Sequence, residues 1–534
     1  MPTLTDLLAR SAGAAAGAPA LLYGDGVATY AELDDRSRRV ARGLAELGVG
    51  DGDRVALWLP NVPAYLVLIF ACARLGAVAL AVNTRYRAAD LGDVVGRSGA
   101  KLLALWPGFR DIPFLDILAA ADPAALDRLE TVVLYDEGEG RAEPPPPAGR
   151  RTVRYAELER RPPLADDRAT PDTPVALFTT SGTTSAPKFV LHRQFAIARH
   201  AAEVAERFGY ARPGTVLLQA LPLCGVFGFS QAMAGLAAAR PLVMMPAFDA
   251  GAAGELVRRH RVTDMNGSDD MVHRMLEAAD GERPFPTLAA CGYAAFDSAL
   301  EGLPAVAEAR GLRLFGLYGM SEVQALFARQ PADEALPGRA RAGGRPVSPA
   351  ARVRARDPDS GRLLPHGEEG ELELKGPSLM VGYLGDAEAT DAAFTEDGYL
   401  RTGDLGYTLP HGEGFVFLAR MGDVLRLGGF LVGPAEIEAH IRRHPAVEGC
   451  QVVEAPTPAG RRAVAFVTLA PGAAFDEEAI RGHCLSGLAK YKAPARVFAL
   501  DSFPTALGPN GVKIQRSRLR EMAAERLAGD AGGG

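Results

Sequence analysis

Three groups of side chains in this 534-residue sequence have the types and spacing to do chemistry on a phosphorylated ligand. The first is Thr179-Thr180-Ser181-Gly182-Thr183-Thr184-Ser185-Ala186-Pro187-Lys188, where hydroxyl residues crowd around one glycine and a lysine closes the run. Backbone N–H groups and hydroxyls bond phosphate oxygens, and an ammonium offsets their charge. The apolar residues 175–178 before it read as a short buried strand. Taken alone, such a run is equally well explained as a polar surface turn. It is not a Walker loop, because Pro187 stands where a glycine would precede the lysine.

The second group is Tyr318-Gly319-Met320-Ser321-Glu322, which follows a segment apolar at Leu312 and Leu314. A hydroxyl and a carboxylate at a strand end suit a magnesium–phosphate site, since Mg²⁺ takes oxygen ligands and few protein carboxylates. A serine followed by glutamate is also an ordinary helix start. The third group is Tyr399-Leu400-Arg401-Thr402-Gly403-Asp404-Leu405-Gly406. A carboxylate on a tight turn can accept both ribose hydroxyls; the plain alternative is an aspartate serving its own β-turn.

With these groups in this order, the chain resembles the AMP-forming ligase superfamily, which comprises acyl-CoA synthetases, aryl-acid adenylating enzymes and luciferase-like ligases. The superfamily signature S/T-S-G-S/T-T-G-x-P-K is matched at Ser181, Gly182, Thr183, Thr184, Pro187 and Lys188, with Ser185 in place of the usual glycine. The resemblance runs from about residue 20 to about residue 520. It implies that Thr180, Ser181, Gly182, Thr183, Thr184 and Lys188 hold the phosphates of ATP, that Glu322 and Thr180 hold Mg²⁺, and that Ser321 bonds the α-phosphate. Tyr318 and Gly319 then lie at the adenine, together with Gly292, Tyr293 and Ala294, which occupy the family's G-G-A-P position and match it at Gly292 and Ala294. Asp404 and Arg420 take the ribose. Lys513 is the catalytic lysine, although Val512 separates it from its glycine and the loop before it is longer than usual. Gly422 is the pivot of a C-terminal lid, and Gly429 faces the incoming thiol.

Around the acyl pocket the sequence departs from the family. Leu221-Pro222-Leu223-Cys224-Gly225-Val226-Phe227-Gly228 resembles L-P-L-F-H-x-x-G, with Gly225 replacing a histidine. Cys224, Gly225, Phe227 and Gly316 are assigned to the pocket. Asp269 and Asp270 either stand at its wall, selecting an amino-bearing aromatic acid or an arylamine, or cap the helix that follows.

The activity implied is attack of a carboxylate on the ATP α-phosphate with release of pyrophosphate. Transfer of the acyl group to CoA or a carrier-protein phosphopantetheine, with release of AMP, follows. The acid is expected to be an aryl or small acyl acid. Two alternatives stay open: an adenylating enzyme with other acceptor chemistry (an amide-forming ligase, or a diazotase-like enzyme activating nitrite for an aryl amine), and a non-catalytic nucleotide-binding relative.

Composition fits a folded enzyme, with 48% hydrophobic and 23% charged residues. The net charge of −7 and the lack of any Lys/Arg run argue against a nucleic-acid partner. Five scattered cysteines with no C-x-x-C pair predict neither a disulfide framework nor a zinc site, which suits a reducing cytoplasm. The N-terminus shows no signal-peptide pattern. The most apolar window, residues 66–82, is broken by Arg74 and Gly76 and reads as a buried helix running into a strand, not a membrane span. A homodimer is left open.

Positioning these groups requires strands alternating with helices, hence an α/β fold with a doubly wound parallel sheet. The resemblance implies a large N-terminal domain over 1–419, with mixed and parallel sheets plus a β-barrel-like subdomain. A hinge at 420–423 and a small mobile α+β lid over 424–534 complete it.

Overall fold

A computed structural model describes residues 2–531, except 111, 138–148, 181–186, 297–299, 411–413, 428–429, 458–459, 489, 491 and 509–510. At 426, 430–431, 460, 506–508, 511–513 and 529–531 it describes the backbone alone. The proline run at 144–147 lies outside the described residues.

Two large sheets carry the site. In the first, Arg54–Trp58, Val78–Ala81, Leu102–Leu105 and Thr131–Leu134 run parallel, with Pro174–Thr179 beside Val78–Ala81. Almost every residue of these strands is buried, as in a sheet covered on both faces. Phe189–Arg193 returns antiparallel to Pro174–Thr179, and Gly382–Tyr383 adds an edge to it.

The second sheet is parallel through Pro19–Tyr23, Leu242–Met244, Leu217–Gln219, Asp264–Ser268, Ala290–Ala294 and Leu314–Tyr318. From Leu314–Tyr318 it continues antiparallel through Ala328–Arg329, Gly343–Pro346, Phe415–Arg420, Leu400–Thr408 and Gly370–Lys375, which makes it a mixed sheet.

The apolar window at 66–82 is the helix Pro63–Leu75 followed by Val78–Ala81. Proline at the first turn suits the helix start, and Gly76 ends it at φ 74, a left-handed cap that glycine adopts without a Cβ clash. Arg74, fully buried on this helix, is held by Asp34 at 2.5 Å and Asp167 at 2.9 Å.

After Asp423 the described strands make sheets of their own: Leu425–Leu427 with Phe430–Val432, Val447–Thr457 with Gly460–Leu469 and Arg496–Ala499, and Thr505–Gly508 with Gly511–Ile514. Two apolar clusters, one around Ile437, Val452 and Val467 and one around Val453, Phe466 and Leu519, draw only on this C-terminal part. Among the described residues no helix is long and apolar enough to cross a membrane.

Candidate active site

The strand Pro174–Thr179 delivers the hydroxyl-rich loop. Ser181, Gly182, Thr183 and Thr184 lie outside the described residues, but both limbs of the loop are placed. Thr180 N donates to Lys188 O at 2.9 Å, and Lys188 N donates to Thr180 Oγ1 at 3.2 Å, closing the loop at its base. Arg97 donates to Pro187 O at 2.9 Å, and the Tyr86 and Thr179 hydroxyls meet at 3.2 Å.

Lys188 Nζ stands 4.7 Å from the centre of the Tyr383 ring, and the Tyr383 hydroxyl donates to Glu322 Oε1 at 3.0 Å. One tyrosine therefore joins the loop's ammonium to the carboxylate of the second motif. Burial and the neighbouring Glu322 raise this phenol well above its ordinary value, so it remains a donor. Glu322 and Ser321 begin a 3-10 turn, Ser321–Val323, three residues beyond the strand Leu314–Tyr318.

Asp404 sits on Leu400–Thr408 directly across the ladder from Arg420 on Phe415–Arg420. The Tyr318 hydroxyl donates to Asp404 Oδ2 at 2.6 Å, and Arg420 Nε lies 3.1 Å from Oδ1 without hydrogen-bond alignment. Burial pushes the Asp404 carboxyl up to about 6, with Arg420 and the Tyr318 hydroxyl pulling the other way. The Tyr318 ring packs edge-on against Phe415 at 5.0 Å.

The strand Ala290–Ala294, expected at the adenine, neighbours Leu314–Tyr318, with Gly292 opposite Phe315 and Tyr293 opposite Gly316. A Cβ on Gly292 would stand 2.2 Å from Asn266 Oδ1, so a larger residue there would displace the Asn266 side chain. Tyr293 turns its hydroxyl to Ala340 O at 2.8 Å, and Ala294, half-buried, ends the strand. A Cβ on Gly319 would meet the backbone of Ala325 at 2.5 Å, so the chain folds closely over itself after Tyr318.

A Cβ on Gly316 would stand 1.8 Å from Arg341 O, so a crossing backbone requires glycine at this position. One pocket expectation needs correction. Asp270 does not join the site: its exposed side chain faces Arg274 at 3.6 Å, one helical turn on. The helix is capped by Ser268, whose Oγ accepts from Met271 N, while buried Asp269 accepts from Phe296 N at 2.6 Å. Asp269 is engaged by the backbone amides of Asp270 and Phe296, and Asp270 faces solvent.

Cys224 is partly buried and Phe227 buried, with Gly225 starting the helix Val226–Ala237. Burial raises the Cys224 thiol to about 11, so it stays protonated. Asn61, read from sequence only as the end of a strand, clamps this loop. Its Nδ2 donates to Leu221 O at 2.9 Å and Gln219 O at 3.3 Å, and Leu223 N donates to its Oδ1 at 2.7 Å. Tyr383 and Asn61 lie outside the motifs of the sequence, so motif reading gives neither a site role.

Gly429 lies outside the described residues, and Lys513 is placed by backbone alone, opposite Ala506 in the hairpin Thr505–Gly508/Gly511–Ile514. A Cβ on Gly422 would meet nothing within 4 Å, so this arrangement does not itself demand glycine. Arg520 donates to the Gly422 carbonyl and pairs with Asp423 at 2.7 Å.

No group of three His, Cys, Asp or Glu able to hold a metal occurs among the described residues. Glu322, the carboxylate expected at Mg²⁺, accepts from the Tyr383 hydroxyl, and a single protein carboxylate is compatible with that ion, which takes few of them.

The AMP-binding enzyme model matches residues 8–384, and the AMP-binding enzyme C-terminal domain model matches 436–506. The chain belongs to the AMP-binding enzyme family. It is an AMP-forming ligase of the acid–thiol type, using ATP and Mg²⁺. It is 32% identical to a sulfoacetate–CoA ligase of Cupriavidus necator, over 98% of each chain. It is 33% identical to the fatty acid–[acyl-carrier-protein] ligase ScoC of Streptomyces coeruleorubidus, over 94% of this chain and 93% of that one. Among solved structures it is similar to ATP-bound MatB from Rhodopseudomonas palustris, with 27% identity, a TM-score of 0.81, and coverage of 98% of this chain and 100% of that one. The Cupriavidus and Streptomyces relatives are named as ligases that join an acid to CoA or to an acyl-carrier protein.

Proposed function

We propose that the chain adenylates an aryl or small acyl carboxylic acid and passes the acyl group to the thiol of CoA or of a carrier-protein phosphopantetheine. The observation that carries this reading is the pair of tyrosine links. Tyr383 joins Lys188 to Glu322 and Tyr318 joins the same segment to Asp404, so a phosphate side and a ribose side lie on one continuous stretch, residues 318–322.

In the proposed mechanism the hydroxyl-rich loop and Lys188 hold the pyrophosphate leaving group, while Asp404 and Arg420 fix the ribose. Ser321 bonds the α-phosphate. Glu322 and the Thr180 hydroxyl would hold Mg²⁺, which would supply positive charge against the phosphate oxygens. Lys513 bridges the substrate carboxylate and the α-phosphate oxygens, where negative charge builds up in the transition state. Residues 1–419 form the adenylating body and 424–534 the lid. Turning of the lid about 420–423 removes Lys513 after the first step and brings Gly429 to the thiol.

The acyl pocket favours a neutral body, because Gly225 supplies no ring donor and Asp269 is already engaged by a backbone amide. The relatives include ligases for CoA and for a carrier protein, and both acceptors are retained here. The test is ATP–pyrophosphate exchange over a panel of aryl and short acyl acids, followed by AMP release with CoA or a phosphopantetheinylated carrier. Exchange with none of the acids would overturn the reading.

A further inference from the structure

The turn that carries Glu322 is held in an unfavourable shape. Gln324, Ala325 and Leu326 follow it with φ of 64°, 49° and 25°, three consecutive non-glycine residues on the left-handed side. Side chains other than glycine resist this region, and such runs persist only where surrounding groups fix them.

Here the fixing groups are visible. Met320 O accepts from Ala325 N at 2.8 Å, Glu322 O accepts from Met380 N at 2.8 Å, and Gln324 O accepts from Ser230 Oγ at 2.5 Å. Ser321 O accepts from His192 Nε2 at 2.8 Å. A carbonyl can only accept, so His192 carries its proton on Nε2, and its Nδ1 has no partner.

Burial lowers His192 to about 4 and its neighbour His200 to about 3, so two uncharged imidazoles back the turn. The His200 ring lies beside the backbone of Gln324 and Ala325 without a well-formed bond from either nitrogen.

The position of His192 gives this bond its meaning. It lies on Phe189–Arg193, the strand that leaves Lys188, and the same strand pairs with Gly382–Tyr383. One strand thus fixes Lys188 at its start, Tyr383 at its edge and, through His192, the backbone of Ser321.

We infer that His192 is a positioning residue for adenylation. Its Nε2–H bond to the Ser321 carbonyl locks the 321–326 turn onto the outgoing strand of the phosphate loop, and so aims the Glu322 carboxylate at the cation that accompanies the phosphates. The inference rests on the proposed role of Glu322.

The test compares His192→Leu, which has no donor, with His192→Gln, whose amide N–H can replace Nε2–H. ATP–pyrophosphate exchange is measured as a function of Mg²⁺, and AMP binding reports the ribose side. Outer contacts of this kind alter metal affinity by about 10–100-fold. His192→Leu is therefore expected to need about ten-fold more Mg²⁺ for half-maximal exchange, with AMP affinity within about two-fold of wild type, and His192→Gln to recover most of the loss.

An unchanged Mg²⁺ requirement in His192→Leu overturns the inference, as does equal damage by both variants without a Mg²⁺ shift. If His192→Leu does not fold, Ser230→Ala, which deletes one oxygen from the same cage, answers instead: a raised Mg²⁺ requirement supports the inference and an unaltered one overturns it. Glu322→Gln, assayed in parallel, separates the two readings. If it leaves the Mg²⁺ requirement untouched, the role of Glu322 fails. If it raises the requirement while His192→Leu does not, only the positioning role fails.

Discussion

Tyr318 donates its hydroxyl to Asp404 at 2.6 Å, a bond between two motifs 86 residues apart. It ties the carboxylate expected at the ribose to the segment expected at the α-phosphate. Because Asp404 is buried, the bond also helps set when that carboxylate is charged.

Asp404, pushed up to about 6, predicts a pH dependence on both function and stability. Accepting both ribose hydroxyls needs the charged form, so KM for ATP should rise as pH falls through about 6. Tyr318→Phe removes a donor that favours the charged form and should move the inflection upward, while Asp404→Asn should abolish it. For stability, the native state keeps a proton between about 4, the ordinary aspartate value, and about 6, where the unfolded chain has lost it. The contribution of Asp404 to stability is therefore present below that window and is lost as pH rises through it. An ATP KM that stays flat from pH 5 to pH 7.5 (the assay range) would exclude this ribose role, to the order of about one pKa unit.

Lys513→Ala should retain AMP binding and lose about 10²–10³-fold in adenylation, the loss typical of removing one preorganised group at a developing oxyanion. Thioester formation from a supplied acyl-adenylate should survive. Exchange at the wild-type rate would remove Lys513 from the first step.

Asn61→Ala should leave the Leu221 carbonyl and the Leu223 amide without their buried partner. Unmade buried hydrogen bonds cost about 1–3 kcal/mol each. Because the clamp lies beneath Cys224 and Gly225, KM for the acid should rise while KM for ATP holds. Parallel increases in both would mean general loosening instead.

Arg516→Leu should unsettle the C-terminal part. Glu438 is fully buried, takes Arg516 at 2.9 Å and accepts from Val452 N at 2.8 Å. Removing one partner of a buried ion pair costs about 3–5 kcal/mol. In thermal unfolding this variant should show an early transition confined to residues 424–534, while AMP binding by the remainder persists at lower temperature. A single transition at the wild-type temperature would contradict it.

Local rules made much of this molecule readable. The run at 66–82 is a helix and a strand because glycine ends the first and β-branched Val78 begins the second two positions on. The Lys513 hairpin was read as a loop, since neither of its four-residue strands has a periodic pattern.

The amino-acid order by itself determined the family, the succession of the three motifs expected at phosphate, magnesium and ribose, and the alternation that builds parallel sheets. Each of these is written in residues that are neighbours along the chain. Only the tertiary structure decided that Asp269 faces inward and Asp270 outward, that a backbone crosses at Gly316, and that Asn61, Tyr383 and His192 bond segments of these motifs and of the 221–228 loop. Those roles depend on contacts between segments about 25 to 160 residues apart, which strand order creates and which no spacing rule within a single helix or strand can reach.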